Sequence, residues 1–326
     1  MERATSARPL GMPCPVTPHA YMVRGPGGRN VASARGSERV CVVTADRTTP
    51  WWLWLSAPIA ALAIVASLSG IFVDSTYARE TENFAAQGIG QDIANLVAYP
   101  VLLLLAWTAS HGSVRAYLGW LGILVYSAYS YAIYAFDVRF NALFLVYVAV
   151  LGLSIYALIG GLAAVDPVRV KAAFGQRTPV RSTWIVLVVV ALMFYLQWLS
   201  EDVPAILGGK TPQSLIDAGL PTSPVHVLDM AVLLPGALVT GALLSKRRAW
   251  GFCLAPVLLT GLVLLAVGIV TLMAVLEVRD VDGGSWAIAG VFAVVGLILL
   301  GVAFRFLRAL DRATRLDNVL RTPVRA

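Results

Sequence analysis

Eight long apolar runs, set apart by short polar stretches, make the pattern of this chain: 51–73, 93–110, 116–136, 140–165, 183–199, 225–244, 250–276 and 285–304. A helix crosses a hydrocarbon core with about 20 apolar residues at about 1.5 Å rise each. None of the runs alternates as an outer-membrane barrel strand would, and all are too long for one. The pattern predicts an all-α, polytopic helical membrane protein with eight transmembrane helices over 51–304. Composition agrees: 58% of the 326 residues are hydrophobic and 13% are charged.

The flanks differ from this core. Residues 1–50 are rich in Arg, Gly, Pro and Ser and predict a disordered basic tail, without the apolar core of a signal peptide. An over-extended gene start is an expectation for the same segment, with the first span then acting as an uncleaved signal anchor. After the last run, "FRFLRALDRATRLDNVLR" predicts a basic amphipathic tail helix over 305–326, lying on the lipid surface. Two polar loops are long enough for structure. "DSTYARETENFAAQGIGQ" (74–91) predicts a short helix ended by Gly88. In "KTPQSLIDAG" (210–219), Thr211 can cap a helix, Pro212 can open it and Gly219 can stop it.

Charge orients the spans. Alternate connections and both tails hold 21 of the 25 basic residues, among them Arg115, Arg169, Lys171, Lys246, Arg247 and Arg248. Of the 18 acidic residues, 12 fall in or beside the other connections. Basic residues near span ends favour the cytoplasmic side, so both termini are expected inside. The net charge of +7 is thus split by side. It predicts contact of the basic tails with anionic inner-leaflet lipid, and no nucleic-acid partner.

A faint repeat runs at an offset of 135 residues. "QDIANLVAYPVLLLLAWTAS" from Gln91 lies over "HVLDMAVLLPGALVTGALLS" from His226, which puts Pro100 on Pro235 and Ser110 on Ser245. Two four-helix halves in parallel orientation, 51–165 and 183–304, are the expectation; chance alignment of Leu-rich helices is the alternative.

Polar groups within spans are costly and usually face other helices or water. Asp92, Asn95 and Tyr99 make one stripe down the second span. Tyr134 and Asp137 end a polar arc on the third, Gln197 and Glu201 end the fifth, and Glu277 ends the seventh. In the sixth, His226 and Asp229 stand three residues apart, on one helical face. Converging, these ten residues would line an outward-facing, acidic vestibule. The plainer expectation for Asp92, Asp137, Glu201 and Glu277 is that carboxylates at span ends meet water or cap helices.

Other chemistry is missing. There is no phosphate-binding loop, no HExxH and no GxSxG, and the three His are too few for a haem or multi-His metal site. Cys14, Cys41 and Cys253 show no metal spacing. No cofactor, metal ligand set or catalytic residue is expected, and an enzyme is the less favoured class.

The stretches "FNALFLVYVAVLGLSIYAL" (140–158) and "SPVHVLDMAVLLPGALVTGALLSKRRAWG" (223–251) resemble an uncharacterised group of multi-pass membrane proteins of high-GC Gram-positive bacteria. The resemblance implies a bacterial inner membrane and supplies no activity. Three functions fit. One is a transporter or channel-like protein for a small solute or cation, using Asp229 and His226. Another is a membrane enzyme acting on a lipid or lipid-linked substrate, with Asp229 or Glu201 as base. The third is a non-catalytic sensor or assembly subunit with a protein partner.

Overall fold

The computed structural model describes residues 50–321 and one two-residue antiparallel pairing, β1 (Val23–Arg24) with β2 (Asn30–Val31). That pairing belongs to a unit over Met1–Thr48, separate from the helical unit Thr49–Ala326. The disordered tail and displaced start expected for 1–50 otherwise lie outside the described residues, as does 322–326 of the tail helix.

The helical unit begins with α1 (Trp51–Trp54) and α2 (Ser56–Phe72), followed by α3 (Glu82–Ser110), α4 (Val114–Asp137) and α5 (Phe144–Ala164). A short α6 (Pro167–Ala172) leads to α7 (Val180–Leu207), and a short α8 (Gln213–Ala218) to α9 (Pro224–Leu228). A wide π-helical turn, Asp229–Leu233, joins α9 to α10 (Leu234–Ser245); α11 (Ala249–Val278), α12 (Trp286–Arg308) and α13 (Leu316–Val319) follow. Side-chain oxygens of Thr81, Ser113, Asp166, Ser223 and Ser285 each accept from a backbone N–H of the first turn they precede. Those caps satisfy groups a helix start leaves orphaned.

Among the described residues, seven segments are long and apolar enough to cross a membrane: Trp51–Phe72, α3, α5, α7, Pro224–Ser245, α11 and α12. The described chain is predominantly helical, and these seven helices are compatible with a polytopic membrane protein. The eighth predicted run, α4, does not meet that description. Its second half reads "YSAYSYAIYAFD", and its first half is walled in by protein, with Tyr117, Leu118, Trp120 and Leu121 wholly buried. A helix surrounded by helices has no need of an apolar surface.

The connections gather at two ends. At one, Arg79 donates to the Phe140 carbonyl (3.1 Å), the Arg139 N–H to Glu80 (2.7 Å), and Asn83 to the Asp282 carbonyl (2.6 Å). At the other, residues 309–321 form a strap. Asp311 N–H donates to the Ala173 carbonyl (2.9 Å), Leu316 N–H to Gly112 (2.8 Å), and the Asp166 N–H to Val319 (2.8 Å). Arg115 donates to the carbonyls of Arg308 and Leu310. We call these the acidic and the basic end. Where the sequence predicts one continuous tail helix, the helix stops at Arg308 and only Leu316–Val319 is helical again. Backbone pairing with three neighbouring connections takes the place of the helix's own bonds.

Two further expectations change. No helix ends at Gly88: α3 starts at Glu82, capped by Thr81, and runs through Gly88 and Gly90 without a break. The glycines serve packing instead. A Cβ on Gly90 would sit 2.3 Å from the Leu272 Cα, so α3 and α11 touch backbone to backbone. In the second loop Gly219 does end a helix in the left-handed conformation (φ 68°), but the residue before the first turn is Pro212, not Thr211.

Helix packing follows one scheme twice. In the first group α2 packs on α3, α3 on α4, α4 on α5, and α5 back on α2; in the second α7 packs on α10, α10 on α11, and α11 on α12. The fourth contact of the second group, α12 with α7, is sparse.

Candidate functional site

The stripe on α3 faces the first helix group. Asp92, Asn95 and Tyr99 are all buried. Asp92 lies ten residues into α3, because the helix begins at Glu82, so it neither caps nor meets water at a span end. One Asp92 oxygen accepts from the Tyr77 hydroxyl (2.6 Å) and the other from Tyr134 (2.8 Å). Burial, and then the Asp92 carboxylate beside it, push the Tyr77 phenol above its ordinary value, which keeps it a donor. Asn95 donates to the Tyr134 hydroxyl (3.5 Å) and accepts from Tyr126 (2.8 Å), whose oxygen accepts from Gln91 (2.6 Å). The donors run in sequence, Gln91 to Tyr126 to Asn95 to Tyr134 to Asp92, and the chain ends on a carboxylate with both oxygens engaged. Deeper, Tyr99, Ser127 and Ser154 link at 3.0 and 2.8 Å. The rings of Tyr131, Tyr134 and Tyr147 fill the space between α4 and α5, with successive centroids 5.2 Å apart.

In the second group the polar centre is Trp198 of α7. Its indole N–H donates to Asp229 Oδ2 (2.8 Å), while the His226 ring lies against its face, centroids 4.1 Å apart. His226 does not pair with Asp229; its Nδ1 lies 3.0 Å from Asp202 at the end of α7. The π-turn sets this arrangement. In its wider register the Leu234 N–H reaches the Asp229 carbonyl, and Pro235, lacking an N–H, leaves the Met230 carbonyl without a helix donor. The Tyr195 hydroxyl fills that place (2.8 Å). Asp229 is 5% exposed, and its Oδ1 has no hydrogen-bond partner.

Between the groups lie two chambers. The one nearer the acidic end holds about 520 Å³ and is lined by Asp137, Glu201, Asp217, His226 and Gln91, among others. The deeper one holds about 670 Å³, with walls such as Val190, Phe194, Leu265, Val291 and Phe292, and with Asp229 and Gln197 on its rim. Gln87, Gln91, Tyr129, Trp198 and Leu272 are among the residues that line both, so the two chambers adjoin, with the carboxylates gathered on the first and a largely apolar lining in the second. Among the described residues no Lys or Arg lines either chamber. Met193, Ile288 and Val291 line the deeper chamber and are also exposed, so it opens sideways between α7 and α12.

Of the ten residues singled out in the sequence, Tyr134, Asp137, Gln197, Glu201, His226 and Asp229 line this space. Asp92, Asn95 and Tyr99 stand behind Tyr134, inside the first group. Glu277 is elsewhere: its carboxylate accepts from the Trp286 N–H (3.0 Å) and ties the α11–α12 turn. The structure adds Trp198, Gln91, Tyr129 and Asp202. A Trp four residues from Asp202 reads in sequence as an interface aromatic, and nothing local marks its indole as a donor to another helix. Among the described residues no group of His, Cys, Asp and Glu could hold a metal ion.

Comparison with known proteins returns no match among family models, curated proteins or solved structures.

Proposed function

We propose that this chain is a transport-type membrane protein that takes up an amphiphilic small molecule from the outer side, through the acidic mouth and into the apolar chamber. The observation that carries this reading is that an acidic chamber and an apolar one adjoin along shared walls. A polar channel for a hydrated ion would need polar walls below Asp229, and the walls there are Leu, Ile, Val and Phe. Volume agrees as well, since small-molecule sites hold roughly 300–1,000 Å³.

The topology we propose has eight spans, with both termini cytoplasmic, in a bacterial inner membrane; the resemblance stated above supports the last point. Support for α4 as the eighth span is its course: it starts beside the basic-end strap and leads to α5, which returns to that strap. The recurring packing scheme supports two parallel four-helix halves.

Reconstitution tests the function. In liposomes carrying a fluorescent alkyl-chain amphiphile, the protein should speed exchange of label between leaflets, read by an impermeant quencher. Val291→Trp, which adds bulk where the deeper chamber opens between α7 and α12, should reduce the gain. Equal exchange with and without protein overturns the reading. A membrane enzyme is the second reading, favoured by the free Asp229 oxygen on the chamber rim as a base; product formation from a lipid-linked substrate would distinguish it.

A further inference from the structure

We infer that Asp229 seats a cationic head group, an alkylammonium, while the hydrocarbon of the same ligand occupies the chamber between α7, α11 and α12. This rests on the amphiphile reading above and names the chemistry of its head group.

Four observations converge. First, Asp229 is held but not satisfied: Trp198 fixes Oδ2, the Tyr129 hydroxyl stands near the carboxylate, and Oδ1 is buried against the chamber without a hydrogen bond of normal geometry. A buried carboxylate oxygen without a donor or cation is a costly arrangement that a bound cation relieves. Second, among the described residues the chamber lining supplies no permanent cation. His226, the nearest basic side chain on the same segment, is engaged by Asp202, and no Lys or Arg lines either chamber. Third, the approach is acidic, through Asp137, Glu201 and Asp217, which draws cations and turns anions away. Fourth, Trp198, Tyr129 and Phe194 line the chamber beside the carboxylate. Aromatic faces next to a carboxylate suit an ammonium whose methyl or methylene groups carry the charge outward. A bare metal ion would find one free oxygen here and apolar walls beyond it, too few ligands for a hard cation.

Photolabelling of the purified protein in neutral nanodiscs tests this. The probes share a twelve-carbon, diazirine-bearing chain and differ in head: trimethylammonium, alcohol or sulfate. The ammonium probe should label peptides of α7 and α12 about tenfold more efficiently than the alcohol, and the sulfate least. Asp229→Asn, which keeps an acceptor for Trp198, should bring the ammonium probe down to the level of the alcohol. Val291→Trp should reduce labelling by both. If ammonium and alcohol label wild type equally, the head-group assignment is overturned while the chamber reading stands. If no probe labels α7 or α12 and Val291→Trp changes nothing, the amphiphile reading falls with it. Should Asp229→Asn fail to accumulate, the ranking of the three heads on wild type decides alone.

Discussion

In the first helix group α2 and α5 meet and close a ring around packed tyrosines; in the second, α7 and α12 hold the same places and splay apart. Each group carries a buried carboxylate on the segment that holds its matched proline. Asp92 has both oxygens bound, by Tyr77 and Tyr134, whereas Asp229 has one bound and one free. One packing scheme thus yields a filled group and an open one. What differs is the filling: Tyr131, Tyr134 and Tyr147 occupy the first ring, whereas in the second the Phe194 and Phe292 rings meet at 5.8 Å and leave the chamber beside them. A carboxylate satisfied from within serves the fold, and one left half-satisfied at a cavity is available to a ligand.

This contrast can be broken by experiment. Asp92→Ala should cost most, about 3–5 kcal/mol, since it orphans two buried phenols at about 1–3 kcal/mol each. Unfolding in detergent would measure it; an equal loss from Asp229→Ala would erase the distinction between the carboxylates. Gly90→Val should come next, at about 1–3 kcal/mol, because its side chain must part α3 from α11 at Leu272. Its thermal midpoint should fall, and an unchanged midpoint would mean the helices are not in backbone contact. Tyr195→Phe should cost about 1 kcal/mol by leaving the Met230 carbonyl unpaired. Faster hydrogen exchange in 229–234 than in α3 would localise that loss to the π-turn. Asp229→Asn should be smallest, under about 1 kcal/mol, as the bond from Trp198 keeps an acceptor. A large destabilisation would show that Asp229 serves the fold as Asp92 does.

Much of this was legible in advance, and the limits have physical causes. Apolar runs mark the seven long helices, five of them within about four residues at each end, because lipid-facing surface has to be apolar. The other two outrun their runs: α3 starts eleven residues before its run and α7 ends eight residues after its own, where polar turns continue the helix. Run 116–136 marks a helix too, but burial by neighbours relieved α4 of that demand. The Asp92–Asn95–Tyr99 stripe was readable from spacing as a shared face; which neighbour it faces was not, since spacing carries no information about the helix opposite. His226 and Asp229 share a face in both descriptions, but what joins them is Trp198, from a helix about 30 residues earlier in the chain. Glu277 looked like its companions and ties a turn instead, because a carboxylate at a helix end can satisfy the next helix's N–H as readily as it meets water. The chamber left no sequence signal at all: it exists because α7 and α12 stand apart, a property of two distant segments together.

The wide turn at Asp229–Leu233 has a geometric consequence. Each residue of an α-helix advances the side-chain direction by about 100°. The extra residue taken up in the π-turn therefore offsets the angular phase of α9 from that of α10 by about that amount. Deleting Ala231 would let the segment close as plain α-helix and carry His226 and Ser223 round by roughly a quarter turn relative to α10. The stacking of His226 on Trp198 and its pairing with Asp202 would be lost together, with the apolar lining of α10 unchanged. The alignment of the mouth with the interior is thus set by a single residue of backbone.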